Sequence, residues 1–331
     1  MFSLQGFVEK TKERGINMDA VMVVQEGVVL GLHRFSDDVI HNVFSVAKSY
    51  TSTAIGMAVD EGLLKLEDKP CDMFGEYMPK DADERWQEVT LFNLLTMSTG
   101  HGSPHLMVKD RKRLRGETEN PADPAQQAET ENPADPAQQA EWLRFAFSRE
   151  CPMVYGVGEK MRYGNLAPYV AGRMVEKVTG CNLREYLYEK LWKPLGVQLP
   201  RWDADPSGHT FAASDLFLDI TDMIKLGEIY LGKGEYRGRR YVSEKWVEQA
   251  SGNYILSNPI NPVGNAVDEE QGYGFYFWRN TRPGYRAYGR EGQFIIVLPE
   301  EKAVVATQAM NSDVQPIMDA IWEEIYPQLK G

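Results

Sequence analysis

The chain contains few of the residues that form disulfides, metal sites and histidine-based catalytic triads. Its 331 residues include three cysteines and five histidines. Three cysteines cannot all pair within one chain, and their spacing fits no zinc pattern. No HExxH motif or clustered acidic loop indicates a metal. No histidine has an obvious triad partner, and for His101 a structural or solvent-exposed role is favoured over one in a cleft. The sequence therefore predicts no metal and no cofactor, and it favours a reduced cytoplasmic protein.

Long apolar runs and an excess of positive charge are also missing. No segment reaches the roughly eighteen apolar residues of a membrane span, and the N-terminal MFSLQGFVEKTKERG carries charges where a signal peptide needs an apolar core. The formal net charge of −12 argues for solubility and against nucleic acid. The basic cluster at residues 109–115 is interpreted as a solvated loop, because no aromatic residues interleave with it. These absences leave small molecules as the expected partners.

The sequence does contain a serine and a lysine three positions apart in an apolar helix. Ser45 and Lys48 project from one helix face, so a hydroxyl and an amine can share a proton without histidine. The segment VFSVAKSYTSTAIGMAV, residues 43–59, holds no other charged residue, and burial lowers the pKa of a lysine by desolvation. Since a neutral amine can activate a serine hydroxyl, the first hypothesis is covalent serine catalysis.

The predicted start of this helix suits such chemistry. His41 and Asn42 precede the helix, and Gly62 ends it as a C-terminal cap would. Ser45 is expected in the first turn, where backbone N–H groups lack intrahelical partners and the helix dipole favours negative charge. We therefore expect the Ser45 amide to be one donor of an oxyanion hole.

With its context, the motif resembles the nucleophile region of the serine β-lactamase and penicillin-recognising superfamily, closest in style to the class C enzymes and their esterase relatives. The resemblance begins in HNVFSVAKSYTSTAIGMAVDEGLLKLEDKP. It continues in the same order and approximate spacing through VTLFNLLTMSTGH (89–101), MRYGNLAPYVAGRMVEKVTG (161–180), residues 212–251, and the C-terminal YGFYFW and GQFIIVLPEEKAVVATQ. It covers nearly the whole chain and implies an α/β fold of the α+β type.

A coarse reading of the elements agrees with that fold. A helix over about residues 2–15 precedes the strands DAVMVVQEG and VVLGLHRF, which are joined by a turn near Gly27. A largely helical middle follows, and the β-rich runs YGFYFWRN, GQFIIVLP and KAVVATQAM lead to a final helix over 314–329. This order predicts an antiparallel sheet built from both termini and flanked by helices, with an inserted mainly helical subdomain and the active site in the cleft between them.

The boundaries follow from this order of elements. The chain is predicted to be a single β-lactamase-like domain over 1–331. Residues 1–40 and 256–331 form its α/β subdomain, and residues 41–255 form a mainly helical region with the nucleophile helix at the interface. The twelve residues ETENPADPAQQA occur twice in tandem over 117–140. This duplication predicts a surface insertion, for which a neutral loop is favoured over a lid.

Two further site residues follow from the resemblance. Tyr163 and Asn165 stand in the family's YxN motif, where the tyrosine lies against the serine and lysine and carries the proton to the leaving group. Asn165 would donate its side-chain amide to a substrate carbonyl or hold Lys48. Whether Lys48 or Tyr163 is the general base stays open, because the two groups titrate together.

The third motif departs from the family pattern. Penicillin-recognising enzymes carry Lys or His, then Thr or Ser, then Gly; here the stretch reads AYGREGQFIIVLPE. It is closer to the GxHGQ form of the nylon-oligomer hydrolases, with Glu291 in place of histidine. Gly289 and Gly292 match its glycines, and Arg290 is placed on an edge strand with its backbone N–H as second oxyanion donor. Glu291 would repel a substrate carboxylate unless Arg290 compensates, although Glu291 at a strand end facing solvent is an equal alternative.

The sequence thus predicts a serine hydrolase that acts through an acyl-enzyme on a small ester or amide. β-Lactamase or D-alanyl-D-alanine peptidase activity is the first alternative. A catalytically inactive, penicillin-binding-like ligand sensor is the alternative of a different class. The natural substrate and the oligomeric state are left open.

Overall fold

The computed structural model describes residues 1–117, 142–254, 268 and 271–329. The helices are α1 Gln5–Glu13, α2 Val46–Asp60, α3 Pro70–Met73, α4 Leu91–Leu95, α5 Val108–Leu114, α6 Trp142–Phe147, α7 Leu166–Thr179, α8 Leu183–Leu187, α9 Ile220–Leu231, α10 Glu244–Ala250, α11 Gln315–Ala320 and α12 Tyr326–Leu329. The strands are β1 Met18–Gln25, β2 Val28–Arg34, β3 His41–Asn42, β4 Phe217–Leu218, β5 Glu235–Tyr236, β6 Arg239–Arg240, β7 Trp278–Arg279, β8 Tyr285–Gly289, β9 Gln293–Leu298 and β10 Ala303–Ala309.

Both ends of the chain build the main sheet. Among the described residues, six strands form it in the order β2-β1-β10-β9-β8-β7, and every pair is antiparallel. Strand β1 pairs with β2 on one side and with β10 on the other, so Val21 lies between His33 and Thr307. The turn after β1 places Glu26 and Gly27 at φ values of 50° and 75°, as a type I′ hairpin requires. The predicted antiparallel sheet from both termini is confirmed.

Helices cover this sheet closely. Every residue of β9 and β10 is buried, so both faces of these central strands are shielded from water. Helix α9 packs on β9 and β10 at Gly227, where a Cβ atom would overlap Val304 and approach Ile295. Helix α1 packs against the C-terminal helix, in which the π-helical segment Ile321–Ile325 joins α11 to α12. The sheet is therefore a rigid support for the segments at its β8 side.

Helix α2 is the central element of the remaining structure. Residues 46–58 are all buried, and the helix contacts β8 and β9 on one side and α7 and α8 on the other. Ser49, Thr51 and Thr53 of this helix donate their hydroxyl groups to backbone carbonyls, for example Ser49 Oγ to Tyr276 O at 2.7 Å. The start of α2 is therefore held by well-packed surroundings, which suits a residue that must be positioned accurately.

Several predicted boundaries change in the structure. Helix α1 is shorter than the predicted 2–15, and only Trp278 and Arg279 of the run YGFYFWRN form a strand. Strand β8 was not among the predicted runs. Residues 118–140 of the tandem duplication lie outside the described residues, and the division into subdomains stays a prediction.

The described residues contain neither a candidate membrane span nor a candidate metal site. No helix there has both the length and the apolar character needed to cross a bilayer. No group of three or more histidine, cysteine, aspartate or glutamate side chains in the same ranges is arranged to hold a metal ion.

Candidate active site

Ser45 and Lys48 lie together at the start of α2. Ser45 occupies the position just before the helix rather than its first turn, and Ser45 Oγ lies 2.9 Å from Lys48 Nζ. Lys48 is 1% exposed although it carries the basic group of an otherwise apolar segment. The local spacing of three residues thus produces the predicted contact between a hydroxyl and an amine.

The Lys48 amine is enclosed by oxygen atoms. Besides Ser45 Oγ, it lies 2.8 Å from Asn165 Oδ1 and 2.7 Å from Ala213 O. Burial holds the pKa of Lys48 well below its ordinary value; the charge of Asp215 opposes this shift and that of Arg111 adds to it. Burial therefore disfavours the ammonium form relative to an exposed lysine, while the three oxygens are acceptors for the hydrogens of the amine.

Tyr163 and Asn165 come from the loop before α7. This loop packs against residues 104–106: the Asn165 amide donates to His105 O at 3.1 Å, and Gly164 has no room for a Cβ atom beside Pro104. The Tyr163 ring centroid lies 4.9 Å from Lys48 Nζ. The loop therefore brings the hydroxyphenyl group of Tyr163 and the amide of Asn165 to the Ser45–Lys48 pair.

Aromatic packing fixes the Tyr163 ring on its other side. Trp278 is buried and its ring centroid lies 5.3 Å from that of Tyr163, while Tyr273 stands edge-on at 6.1 Å. Trp278 packs in the core at 1% exposure. The Tyr163 ring therefore packs against aromatic rings on the side away from Lys48.

The backbone just before Ser45 is strained. Phe44 has a φ of 45°, which is unusual for a bulky residue and costs about 1–3 kcal/mol. The Asn42 side chain holds this conformation, because its Oδ1 accepts from the Phe44 amide at 2.8 Å and its Nδ2 donates to Asp215 Oδ1 at 2.8 Å. Within the described ranges the Ser45 amide donates no hydrogen bond. The turn leaves this N–H available to a substrate oxygen.

Strand β8 approaches this turn at Gly289. A Cβ atom there would overlap the Val43 carbonyl oxygen and lie 3.2 Å from the Ser45 nitrogen, so only glycine fits. In the described part of the chain, β8 pairs with β7 through Tyr285 and Arg286 alone, so its end at Gly289 has no partner strand on that side. The third motif is thus adjacent to the nucleophile position.

A 3₁₀ turn, Arg290–Gly292, follows β8. The prediction that Arg290 lies on an edge strand is therefore wrong, because the strand ends one residue earlier, at Gly289. Arg290 Nε pairs with Glu291 Oε1 at 3.2 Å, and the Arg290 guanidinium lies 4.6 Å from the Phe44 ring centroid. Glu291, at a φ of 69°, therefore does not present an uncompensated charge to the cleft. Gly292 packs against Ile317 of α11, which gives it a structural role.

The basic cluster near residue 110 is not a solvated loop, contrary to the sequence interpretation. It forms α5, and Arg111 is buried with its Nη1 2.6 Å from Asp215 Oδ2 and 3.3 Å from Asp203 Oδ2. Arg115 donates to the same Asp203 oxygen at 2.6 Å. The signal in the sequence was the spacing of four between Arg111 and Arg115, which places both on one helix face.

His101 has a structural position. It is buried beside Trp86, its Nδ1 lies 2.7 Å from Thr99 Oγ1, and burial lowers its pKa to about 3. The imidazole is therefore neutral in ordinary buffers and holds the loop after α4, in agreement with the structural role favoured from the sequence.

A family model described as Beta-lactamase matches residues 4–322 of the chain. The chain is 26% identical over 300 residues to the 6-aminohexanoate-dimer hydrolase of Paenarthrobacter ureafaciens, which covers 87% of this chain and 71% of that protein. Among solved structures, a putative 6-aminohexanoate-dimer hydrolase from Bacillus anthracis superposes with a TM-score of 0.72 at 19% identity, over 97% of this chain and 80% of the other. A family VIII carboxylesterase superposes with a TM-score of 0.70 at 14% identity, over 98% and 95% of the two chains.

Proposed function

The chain belongs to the Beta-lactamase family, and from that premise we propose that it is a serine hydrolase acting through an acyl-enzyme on a small ester or amide. Ser45 is the nucleophile, Lys48 and Tyr163 move the proton, and the amides of Ser45 and Arg290 stabilise the oxyanion. Asn165 and Gly289 hold the site in shape.

The environment of the Lys48 amine is the observation that carries this proposal. A neutral amine has two hydrogens and one lone pair. If its hydrogens go to Asn165 Oδ1 and Ala213 O, the two nearest oxygens, the lone pair faces Ser45 Oγ at 2.9 Å. Such an amine accepts the hydroxyl proton of Ser45, which is what a general base must do.

The reaction then follows with its atoms balanced. Ser45 Oγ bonds to the substrate carbonyl carbon while its proton passes to Lys48 Nζ, directly or through Tyr163. The carbonyl oxygen becomes an oxyanion, and its collapse breaks the bond to the alcohol or amine, which leaves with that proton. Water attacks the acyl-serine ester in the same manner, the acid departs, and Ser45 regains its proton.

The third motif bears on the substrate. The chain has no Lys-Thr-Gly, and the Arg290–Glu291 ion pair cancels the charge that would otherwise bind or repel a carboxylate. We therefore rank an ester or amide without an obligatory carboxylate above a β-lactam. The names of the similar proteins, a 6-aminohexanoate-dimer hydrolase and a carboxylesterase, agree with hydrolysis of an amide or an ester.

Turnover of a small panel of substrates tests the proposal. The panel contains a short p-nitrophenyl ester, a linear dimer of an ω-amino acid and a chromogenic cephalosporin, each assayed with the wild type and with Ser45→Ala. We expect ester or amide hydrolysis by the wild type and its loss in Ser45→Ala. Faster cephalosporin hydrolysis would instead favour the β-lactamase alternative. Rates equal to those of Ser45→Ala on all substrates would favour the inactive ligand sensor.

A further inference from the structure

A group of paired charges, of which Arg111 is buried and the others are partly buried, lies near Lys48 and outside the residues that the proposed reaction uses. Arg111 of α5 contacts both Asp203 and Asp215, and Arg115 contacts Asp203, so two cations meet two anions. Burying charged groups is costly unless they are paired. Ion pairs exposed to water would hold a surface loop equally well without that cost. The location of this group beside the catalytic amine therefore calls for a specific role.

The first link to the site is the loop of residues 212–216, which surrounds the amine. Its successive carbonyl groups accept hydrogen bonds from Thr51 Oγ1, Lys48 Nζ, Trp202 Nε1, Asp203 N and Val43 N, in that order. Ala212 and Asp215 have φ values of 63° and 58°, so the loop is held in a conformation that non-glycine residues seldom adopt. Because the loop presents an oxygen to Lys48, its position determines the direction of the amine.

The second link is the side chain of Asp215. Its Oδ2 accepts from Arg111 at 2.6 Å, and its Oδ1 accepts from Asn42, the residue that holds the strained Phe44. One carboxylate thus joins the guanidinium of α5 to the turn that leads to Ser45.

We propose that Arg111 and Asp215 are positioning residues for the reaction: together they fix the loop that contacts Lys48 and keep the field at its amine nearly neutral, so that Lys48 can serve as a base. This inference rests on the proposed function. The groups that face the amine from the packed elements are Ser45, the Tyr163 ring, the Asn165 amide, the Ala213 carbonyl, and the charges of Asp215 and Arg111.

The electrostatic reason is that the two charges act on Lys48 in opposite directions. Asp215 alone favours the ammonium form, and Arg111 opposes it. Without Arg111, the carboxylate of Asp215 would attract a proton to Lys48 and remove the base. Without the charge of Asp215, Arg111 would disfavour the ammonium further.

The test is the pH dependence of Ser45 labelling by a fluorophosphonate, together with kcat/KM for a p-nitrophenyl ester. We expect Arg111→Gln to move the acid limb of both profiles upward by about one pH unit, which slows the reaction about tenfold on that limb. Asp215→Asn should move the limb downward. Arg111→Lys keeps the charge and should stay near the wild-type limb.

Arg113→Gln is the matched control, since Arg113 lies on the same helix but pairs with Glu150 at the surface, with half of its side chain exposed. It should leave the limb unchanged. Thermal melting identifies variants that fail to fold. If Arg111→Gln fails to fold, the shift of the acid limb in Asp215→Asn tests the inference. A folded Arg111→Gln with the wild-type limb, or an upward or absent shift in Asp215→Asn, would overturn the inference. A wild type that is not labelled at Ser45 would instead overturn the proposed function.

Discussion

The two sides of Ser45 differ in how far their charged side chains are exposed to water. On the Lys48 side the lysine is 1% exposed, its amine has three oxygen atoms within 2.9 Å, and the nearby Arg111 and Asp215 side chains are 11% and 20% exposed. On the side of the 3₁₀ turn, the Arg290 side chain is 59% exposed and its ion-pair partner Glu291 is 26% exposed. Enclosed charges act strongly because water does not screen them, whereas exposed ones act weakly. On the proposed mechanism, the enclosed side would set the chemistry and the open side would set the choice of substrate.

The largest effect is expected on the enclosed side, from Lys48→Met. The variant retains the volume of the side chain but lacks the amine, so kcat/KM for a p-nitrophenyl ester should fall by at least about 10³-fold. Lys177→Met, a change of an exposed lysine in α7, serves as the control and should retain activity. A decrease in kcat/KM of less than tenfold for Lys48→Met would show that the amine is not needed for catalysis. The contrast between the two sides of Ser45 would then not hold.

The next largest effect is expected where the two sides meet, at Gly289. Gly289→Ala places a methyl group against the Val43 carbonyl and near the Ser45 nitrogen, so we expect a loss of about 1–3 kcal/mol in stability and a lower kcat/KM. Gly75→Ala is the matched control, because a Cβ atom there meets nothing within 4 Å. Urea unfolding and ester hydrolysis measure both quantities. Equal behaviour of the two variants would show that β8 does not press on the nucleophile turn.

A smaller effect concerns the pH dependence of stability. Burial lowers the pKa of Lys48 in the folded protein below the ordinary value of 10.5, so between these two values the unfolded chain binds more protons. The stability of the wild type relative to Lys48→Met should therefore rise with pH across that window, by at most about 1.4 kcal/mol per pH unit, and level off above it. Chemical denaturation of both proteins over a pH series measures the difference. A difference that is flat or falls with pH would contradict the enclosed amine.

The smallest effect is expected on the open side. Arg290→Ala and Glu291→Gln each break an exposed ion pair and should change stability by about 0–1 kcal/mol. Glu291→Gln should raise the kcat/KM of a carboxylate-bearing ester severalfold relative to a neutral ester, and Arg290→Ala should lower the same ratio. Both variants retain the backbone amide of Arg290. An unchanged ratio in both variants would show that this turn does not select substrate.

Sequence reasoning identified the local parts of the site. Ser45 and Lys48 are three residues apart on one helix, so their contact depends on helix geometry alone. Tyr163 and Asn165 followed from a motif whose order and spacing resemble the family. The order of the elements, with strands near both ends of the chain and helices between them, likewise predicted a sheet formed by both termini, which the structure has.

The parts that sequence reasoning missed depend on distant partners. Arg111 is buried because Asp203 and Asp215, 92 and 104 residues later, lie against its helix. Strand β8 was not among the predicted runs, and Arg286 stands in its middle; the residue is buried, and its guanidinium donates to Arg279 O and Asn280 Oδ1. The groups that satisfy such buried charges are not visible in the local sequence.

The most direct test of the central claim is peptide mapping by mass spectrometry after brief exposure of the protein to a fluorophosphonate. The Lys48 environment predicts a single phosphonyl adduct on Ser45, which is absent from Ser45→Ala and forms far more slowly in Lys48→Met. Absence of an adduct on Ser45 in the wild type, or equal labelling of the wild type and Lys48→Met, would contradict the proposal that the enclosed amine activates Ser45.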